Sequence, residues 1–124
     1  MTPMTARTYL GVIAAAACLA WTAAAAAHAF PQQEEPAVGS VVHEAPASVR
    51  IWFNAKLEPL FSNVVVKDAQ GKEVSGDSHV DPDSLSMIEA PLQPIGAGQY
   101  HVYWRVVARD GHRTEGDYVF TIKP

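Results

Sequence analysis

The stretch "QYHVYWRVVARDGHRTEGDYVFTIK", residues 99–123, contains the strongest β pattern of the chain. Apolar side chains occupy alternate positions in residues 99–108 and again in residues 116–123, which is typical of strands with one buried face. The segment between them, "RDGHRTE" at 109–115, is polar and contains a glycine, so the sequence predicts a hairpin with a longer loop. The faces expected to be buried are Tyr100, Val102, Trp104 and Val106 in the first strand, and Tyr118, Phe120 and Ile122 in the second.

Three segments before this hairpin also have strand character. "SVRIWFN" (48–54) alternates, "FSNVVVKD" (61–68) is rich in β-branched residues, and "SLSMIEA" (84–90) lies between two prolines. No segment of ten or more residues has a helical period. Short strands with frequent turn signals predict an all-β fold, an antiparallel sandwich or barrel. The polar, proline-containing segment 28–37, "HAFPQQEEPA", is expected to lie over the surface.

Residues 1–27 have the features of a secretory signal peptide. Arg7 gives a positive start, an apolar run follows, and Ala25 to Ala27 satisfy the small-residue cleavage rule. Cleavage there would leave a domain of residues 28–124 that begins with His28. Three alternatives stay open: an uncleaved membrane anchor, cleavage that leaves Phe30 first, and a weak lipoprotein-type site at Cys18.

Charge and cysteine content narrow the function classes. The chain has 13 acidic against 9 basic residues, and removing Arg7 with the leader changes the formal charge from −4 to −5. An acidic domain is a poor candidate for nucleic-acid binding and is better suited to a cation. The only cysteine, Cys18, falls within the leader. The remaining domain therefore has no disulfide, and burial and sheet hydrogen bonds must stabilise it.

A candidate metal site combines the hairpin loop with the start of the domain. Asp110 and His112 flank Gly111, and residues two apart in an extended segment point to the same side. A terminal His28 would offer its α-amine and its imidazole Nδ1 to one ion. Together with His112 and Asp110 this makes three nitrogens and one oxygen, a set that suits Cu(II). No thiolate is available for a structural zinc site.

The segments "HAFPQQEEPAVGSVV", "VRIWFNAKLEPLFSNVVV" and "GQYHVYWRVVARDGHRTEGDYVFTI" resemble the CopC family of periplasmic copper-binding proteins. The resemblance covers nearly all of residues 28–124. It implies an immunoglobulin-like or cupredoxin-like Greek-key β-sandwich or barrel of about seven strands. It also implies one Cu(II) per chain held by His28, Asp110 and His112, a role in copper resistance or delivery, and a CopD-type partner in the inner membrane. We expect a monomer without enzymatic activity.

Two departures from the family pattern matter for the site. Some members have a methionine-rich Cu(I) site, but the corresponding region here has no methionine, and Met87 is expected to be a strand residue. Cu(II) alone is therefore predicted. Some members also carry a glutamate near the site where this chain has Ala55, and Glu58 and Glu115 are candidates to replace it.

Two other functions compete with copper carriage. An N-terminal histidine chelate with a second histidine also resembles the copper site of lytic polysaccharide monooxygenases, so a mononuclear copper oxidase or oxygenase is one alternative. A metal-free immunoglobulin-like interaction module is the other. The remaining histidines, His43, His79 and His101, are interpreted as surface or strand residues, with His79 in a flexible loop.

Overall fold

The computed structural model describes residues 28–124, which form a sandwich of two four-stranded β-sheets. The first sheet has the strand order β1-β3-β6-β5 and the second has the order β2-β8-β7-β4. The strands are β1 Pro31–Glu35, β2 Val41–Val42, β3 Ser48–Phe53, β4 Asn63–Lys67, β5 His79–Asp81, β6 Ser84–Pro91, β7 Gly98–Val107 and β8 Arg113–Ile122; a 3₁₀ turn spans Pro59–Phe61. The predicted all-β sandwich is thus confirmed, in its open form rather than as a closed barrel.

Several local predictions need correction. The described residues contain eight strands rather than about seven, and the segment expected only to cover the surface contains β1. β1 pairs with β3 at the edge of its sheet, and all five of its residues are exposed or half-buried. An edge strand needs no continuous apolar face, which is why its polar sequence resembled a loop. His79 lies in β5, not in a flexible loop. The predicted signal peptide, residues 1–27, lies outside the described residues.

The core lies between the sheets and uses the faces predicted from alternation. Val49, Ile51 and Phe53 of β3 are buried, and so are the predicted residues of β7 and β8 except half-buried Trp104. The Trp104 ring packs edge-to-face on Phe53 of the other sheet, with centroids 5.2 Å apart. Its partner across the β7–β8 ladder is Gly116. A Cβ atom at Gly116 would lie 2.5 Å from Trp104 Cζ2, so the indole occupies the space that a side chain would need.

The outer edge of β4 is covered by the segment 72–78, through both serine hydroxyls and backbone hydrogen bonds. The Val64 and Val66 amides donate hydrogen bonds to the hydroxyl oxygens of Ser78 and Ser75, at 2.9 Å each. The Val74 amide donates to the Val66 carbonyl at 2.8 Å. These bonds satisfy backbone groups that an edge strand otherwise leaves unpaired.

The longest element pair positions the candidate site. β7 and β8 run antiparallel in unbroken register from Gly98 opposite Ile122 to Val107 opposite Arg113. The loop that joins them therefore lies at one end of the sandwich, beside the start of β1. Among residues 28–124, no helix has the length and apolar character needed to cross a membrane.

Candidate metal centre

The hairpin loop between β7 and β8 is closed by two backbone hydrogen bonds. The Ala108 amide donates to the His112 carbonyl at 2.9 Å, and the Gly111 amide donates to the Ala108 carbonyl at 2.8 Å. Gly111 adopts a φ of 90°, a left-handed conformation that glycine accepts without a Cβ clash. The loop is therefore a defined turn that presents the Asp110 and His112 side chains on the surface.

Asp110 and His112 form a tight local pair. The Asp110 carboxylate accepts the His112 backbone amide at 3.0 Å and faces His112 Nδ1 at 2.9 Å. These two hydrogen bonds, with the nearby His112 and His28 charges, hold the pKa of Asp110 below its ordinary value despite partial desolvation. With Nδ1 donating to the carboxylate, the other ring nitrogen, Nε2, is the one left to accept or to bind a metal.

His28 lies beside this pair. Its ring centroid is 5.0 Å from that of His112, and the two planes cross at 63°. Metal–nitrogen bonds are about 2.0 Å long, so two imidazoles on one ion have centroids roughly 4.5–6.5 Å apart. The spacing of these two rings therefore fits a shared ion. The structure thus brings together all three residues that the sequence singled out, although they lie at opposite ends of the described chain.

The segment that follows His28 is fixed to both sheets. The Thr114 hydroxyl donates to the Ala29 carbonyl at 2.8 Å, and the Phe30 amide donates to Asn54 Oδ1 at 2.7 Å. In return, the Asn54 amide donates to the Phe30 carbonyl at 3.0 Å. Asn54 and Thr114 were not predicted from the sequence, because neither is a usual copper ligand and their contacts exist only in the folded chain.

Glu58 and Glu115, the candidates to replace the family glutamate where this chain has Ala55, lie in different parts of the structure. Ala55 is half-buried against the core. Glu115 faces away on the outer sheet surface, where its carboxylate pairs with Arg105 Nε at 3.2 Å. Glu58 lies in the loop after β3, and its amide donates to the Val107 carbonyl at 2.8 Å. Pairing with Arg105 makes Glu115 the weaker of the two candidates.

Of the other histidines, His43 and His101 have contacts of their own, and His79 is exposed in β5. His43 Nδ1 is 2.8 Å from the Lys123 carbonyl oxygen. His101 pairs with Asp117 and stacks on Tyr103, with ring centroids 4.3 Å apart. Within residues 28–124, no three His, Cys, Asp or Glu side chains already form a complete metal-binding group.

Comparison with known proteins identifies the family of this chain. Residues 32–123 match the family model described as "CopC domain". The chain belongs to the CopC family.

Several relatives of the chain carry names from copper biology, and others are named only "Protein YobA". The chain is 34% identical to "Copper resistance protein C" of Escherichia coli over 107 residues, which cover 80% of this chain and 84% of that protein. It is 30% identical to "Copper transport protein CutJ" of Bacillus subtilis over 98 residues, covering 77% of this chain and 18% of that protein. The crystal structure of CopC from Methylosinus trichosporium OB3b matches with a TM-score of 0.74 at 30% identity, covering 78% of this chain and 95% of that one. The family is therefore one of copper resistance and copper transport proteins.

Proposed function

We propose that this protein binds one Cu(II) ion per chain and acts in periplasmic copper resistance or delivery, without catalytic turnover of its own. The observation that supports the proposal most directly is the pairing of the His28 and His112 rings at 5.0 Å. These residues are 84 positions apart in sequence, and the fold places them together at an exposed end. A metal cargo that must enter and leave is served by such an accessible site.

The proposed donors follow from the chemistry of the residues present. A chain beginning at His28 offers its α-amine and Nδ1 to one ion, His112 offers Nε2, and Asp110 offers an oxygen. In the structure the Asp110 carboxylate bonds to Nδ1, on the side of the ring opposite Nε2, so binding the same ion would require Asp110 to give up this hydrogen bond. Nitrogen-rich tetragonal ligation favours Cu(II), which is also the strongest binder of the divalent series.

A soft Cu(I) site is not part of the proposal. Met87 lies in β6 with 9% of its surface exposed, opposite Trp52 of β3 and on the face away from the core residue Ile88, rather than in a loop near His28. One buried thioether cannot build a site of soft ligands. We therefore propose Cu(II) as the form of copper that this chain carries.

Copper titration of protein beginning at His28 tests the proposal. His28→Ala, His112→Ala and a variant that retains Ala27 should each bind Cu(II) far more weakly, because each removes or displaces a nitrogen donor. His43→Ala is the matched control, since His43 contacts the Lys123 carbonyl instead, and it should bind like the wild type. Equal affinity in all five proteins would rule out the N-terminal chelate.

Two further measurements separate the competing functions. Copper at 100 times its dissociation constant should stabilise the fold by about 2.7 kcal/mol, whereas a metal-free module would show no thermal shift. Copper-loaded protein with a reductant should produce no more peroxide or oxidised substrate than apo protein. Copper-dependent turnover in that assay would favour the oxidase alternative.

The periplasmic location and a CopD-type membrane partner complete the proposal. The location depends on the predicted signal peptide, and intact-mass measurement of secreted protein would identify the first residue. In CutJ the part similar to this chain is 18% of a longer copper transport protein, which supports a role beside a transporter. At the same end of the sandwich, the loop after β3 exposes Leu60 and Phe61 by 90% and 66%, apolar surface suited to docking.

A further inference from the structure

Three hydrogen bonds hold the backbone of Ala29 and Phe30, the two residues that follow His28, from both sides. Thr114, at the start of β8, holds the Ala29 carbonyl, and Asn54, directly after β3, holds both the amide and the carbonyl of Phe30. Since β3 and β8 belong to different sheets, the terminal segment is tied across the end of the sandwich. A chain terminus without such ties usually frays.

Ala29 adds a steric element to these bonds. Its side chain is fully buried and belongs to the hydrophobic core cluster. The neighbours on either side are a half-buried histidine and a phenylalanine that is 51% exposed. Sliding the chain by one residue would place His28 or Phe30 in a space that now holds one methyl group. The register of the segment is therefore fixed along the chain as well as across it.

We infer that Asn54, Thr114 and buried Ala29 form a register clamp that presents the amine of the residue directly before Ala29 to His112. Asn54 and Thr114 are positioning residues, because they contact the backbone of residues 29 and 30. The inference rests on the proposed copper function and adds a condition to it: one residue, and only one, must precede Ala29. Because the clamp holds the chelating residue in place in the metal-free protein, copper binding does not include the entropic cost of ordering that residue.

The clamp is tested with protein beginning at His28 and four variants. Asn54→Ala removes the acceptor of the Phe30 amide but keeps the backbone bond from Asn54 to the Phe30 carbonyl, and Thr114→Val removes the hydroxyl bonded to Ala29. Each should lower Cu(II) affinity roughly 10-fold, the low end for groups that orient ligands. Thr114→Ser keeps the hydroxyl and should retain affinity. Ser78→Ala is the matched control, because it also removes a hydroxyl bonded to the backbone, at Val64, but lies away from the site.

Hydrogen exchange of the metal-free proteins gives a readout independent of copper. The Phe30 amide should exchange slowly in the wild type and in Ser78→Ala, and much faster in Asn54→Ala. A protein that retains Ala27 should keep this protection yet bind copper weakly, since its clamp is intact and its amine is displaced. This combination separates the clamp from the copper proposal, because the exchange result stands even if the wild type fails to bind Cu(II).

Two results would overturn the inference. One is fast exchange of the Phe30 amide in the metal-free wild type. The other is a Cu(II) affinity in Asn54→Ala and Thr114→Val that equals that of the wild type, or that falls no further than in Ser78→Ala.

Discussion

Replacing Gly116 by alanine should destabilise the domain through a single steric conflict. The added Cβ would lie 2.5 Å from Trp104 Cζ2 and 2.8 Å from Trp104 Cε2, well inside van der Waals contact. The obstacle is a ring wedged against Phe53 of the opposite sheet, so it cannot move without disturbing the core. Inserting a methyl group into such packing costs about 1–3 kcal/mol.

The expected loss can be read from thermal unfolding. For a domain of this size each kcal/mol lowers Tm by about 4–8 °C, so Gly116→Ala should melt roughly 5–20 °C below the wild type. Gly96→Ala is the matched control: no atom lies within 4 Å of its added Cβ and its φ is not positive. That control should melt at or slightly above the wild-type temperature, because alanine reduces the entropy of the unfolded chain.

A second substitution identifies the cause. In a Trp104→Leu background the indole is gone, so adding the Gly116→Ala methyl group should cost much less than it does in the wild type. Full additivity of the two changes, or an unchanged melting temperature for Gly116→Ala alone, would refute the steric explanation.

Three further predictions concern other parts of the molecule. The Tyr118 hydroxyl is buried without a hydrogen-bond partner in the described structure, and burial raises its pKa, so Tyr118→Phe should leave stability unchanged or raise it by about 1 kcal/mol in urea unfolding. Because the pKa of Asp110 is lower in the folded than in the unfolded protein, its carboxylate stabilises the fold at pH values above the unfolded pKa, and this stabilisation is lost as the pH falls through the folded pKa. The difference in unfolding free energy between wild type and Asp110→Asn should therefore shrink on acidification. A difference that stays constant with pH would contradict the assignment. Leu60→Asp should leave Tm and Cu(II) affinity unchanged, since the side chain is 90% exposed, but should slow copper transfer to a membrane partner; unchanged transfer would exclude this residue from docking.

The inner strands were predictable because a strand with one buried face has apolar residues at alternate positions. The alternation in residues 48–53, 99–107 and 116–122 matches the buried faces of β3, β7 and β8. β1 was missed because an edge strand of polar residues has no such alternation, and the two-residue β2 is too short to show it.

The candidate site, like the fold, was only partly predictable from the sequence. His28, Asp110 and His112 were recognisable from residue type, spacing and family resemblance. The groups that fix His28 were not, since an asparagine and a threonine acquire their role only when β3 and β8 bring them to the same backbone segment. Metal binding by His28, Asp110 and His112 stays a prediction.

The serine hydroxyls along the outer edge of β4 bear on how this domain behaves when it is crowded. A foreign strand approaching that side would meet amides already engaged by Ser75 and Ser78, and would have to displace both hydroxyls before forming its first ladder bond. That requirement discourages the edge-to-edge growth by which β-proteins form fibrils. Substituting both serines by alanine would free the Val64 and Val66 amides and leave only the backbone of residues 72–74 bonded along this edge, so aggregation from the native fold should increase.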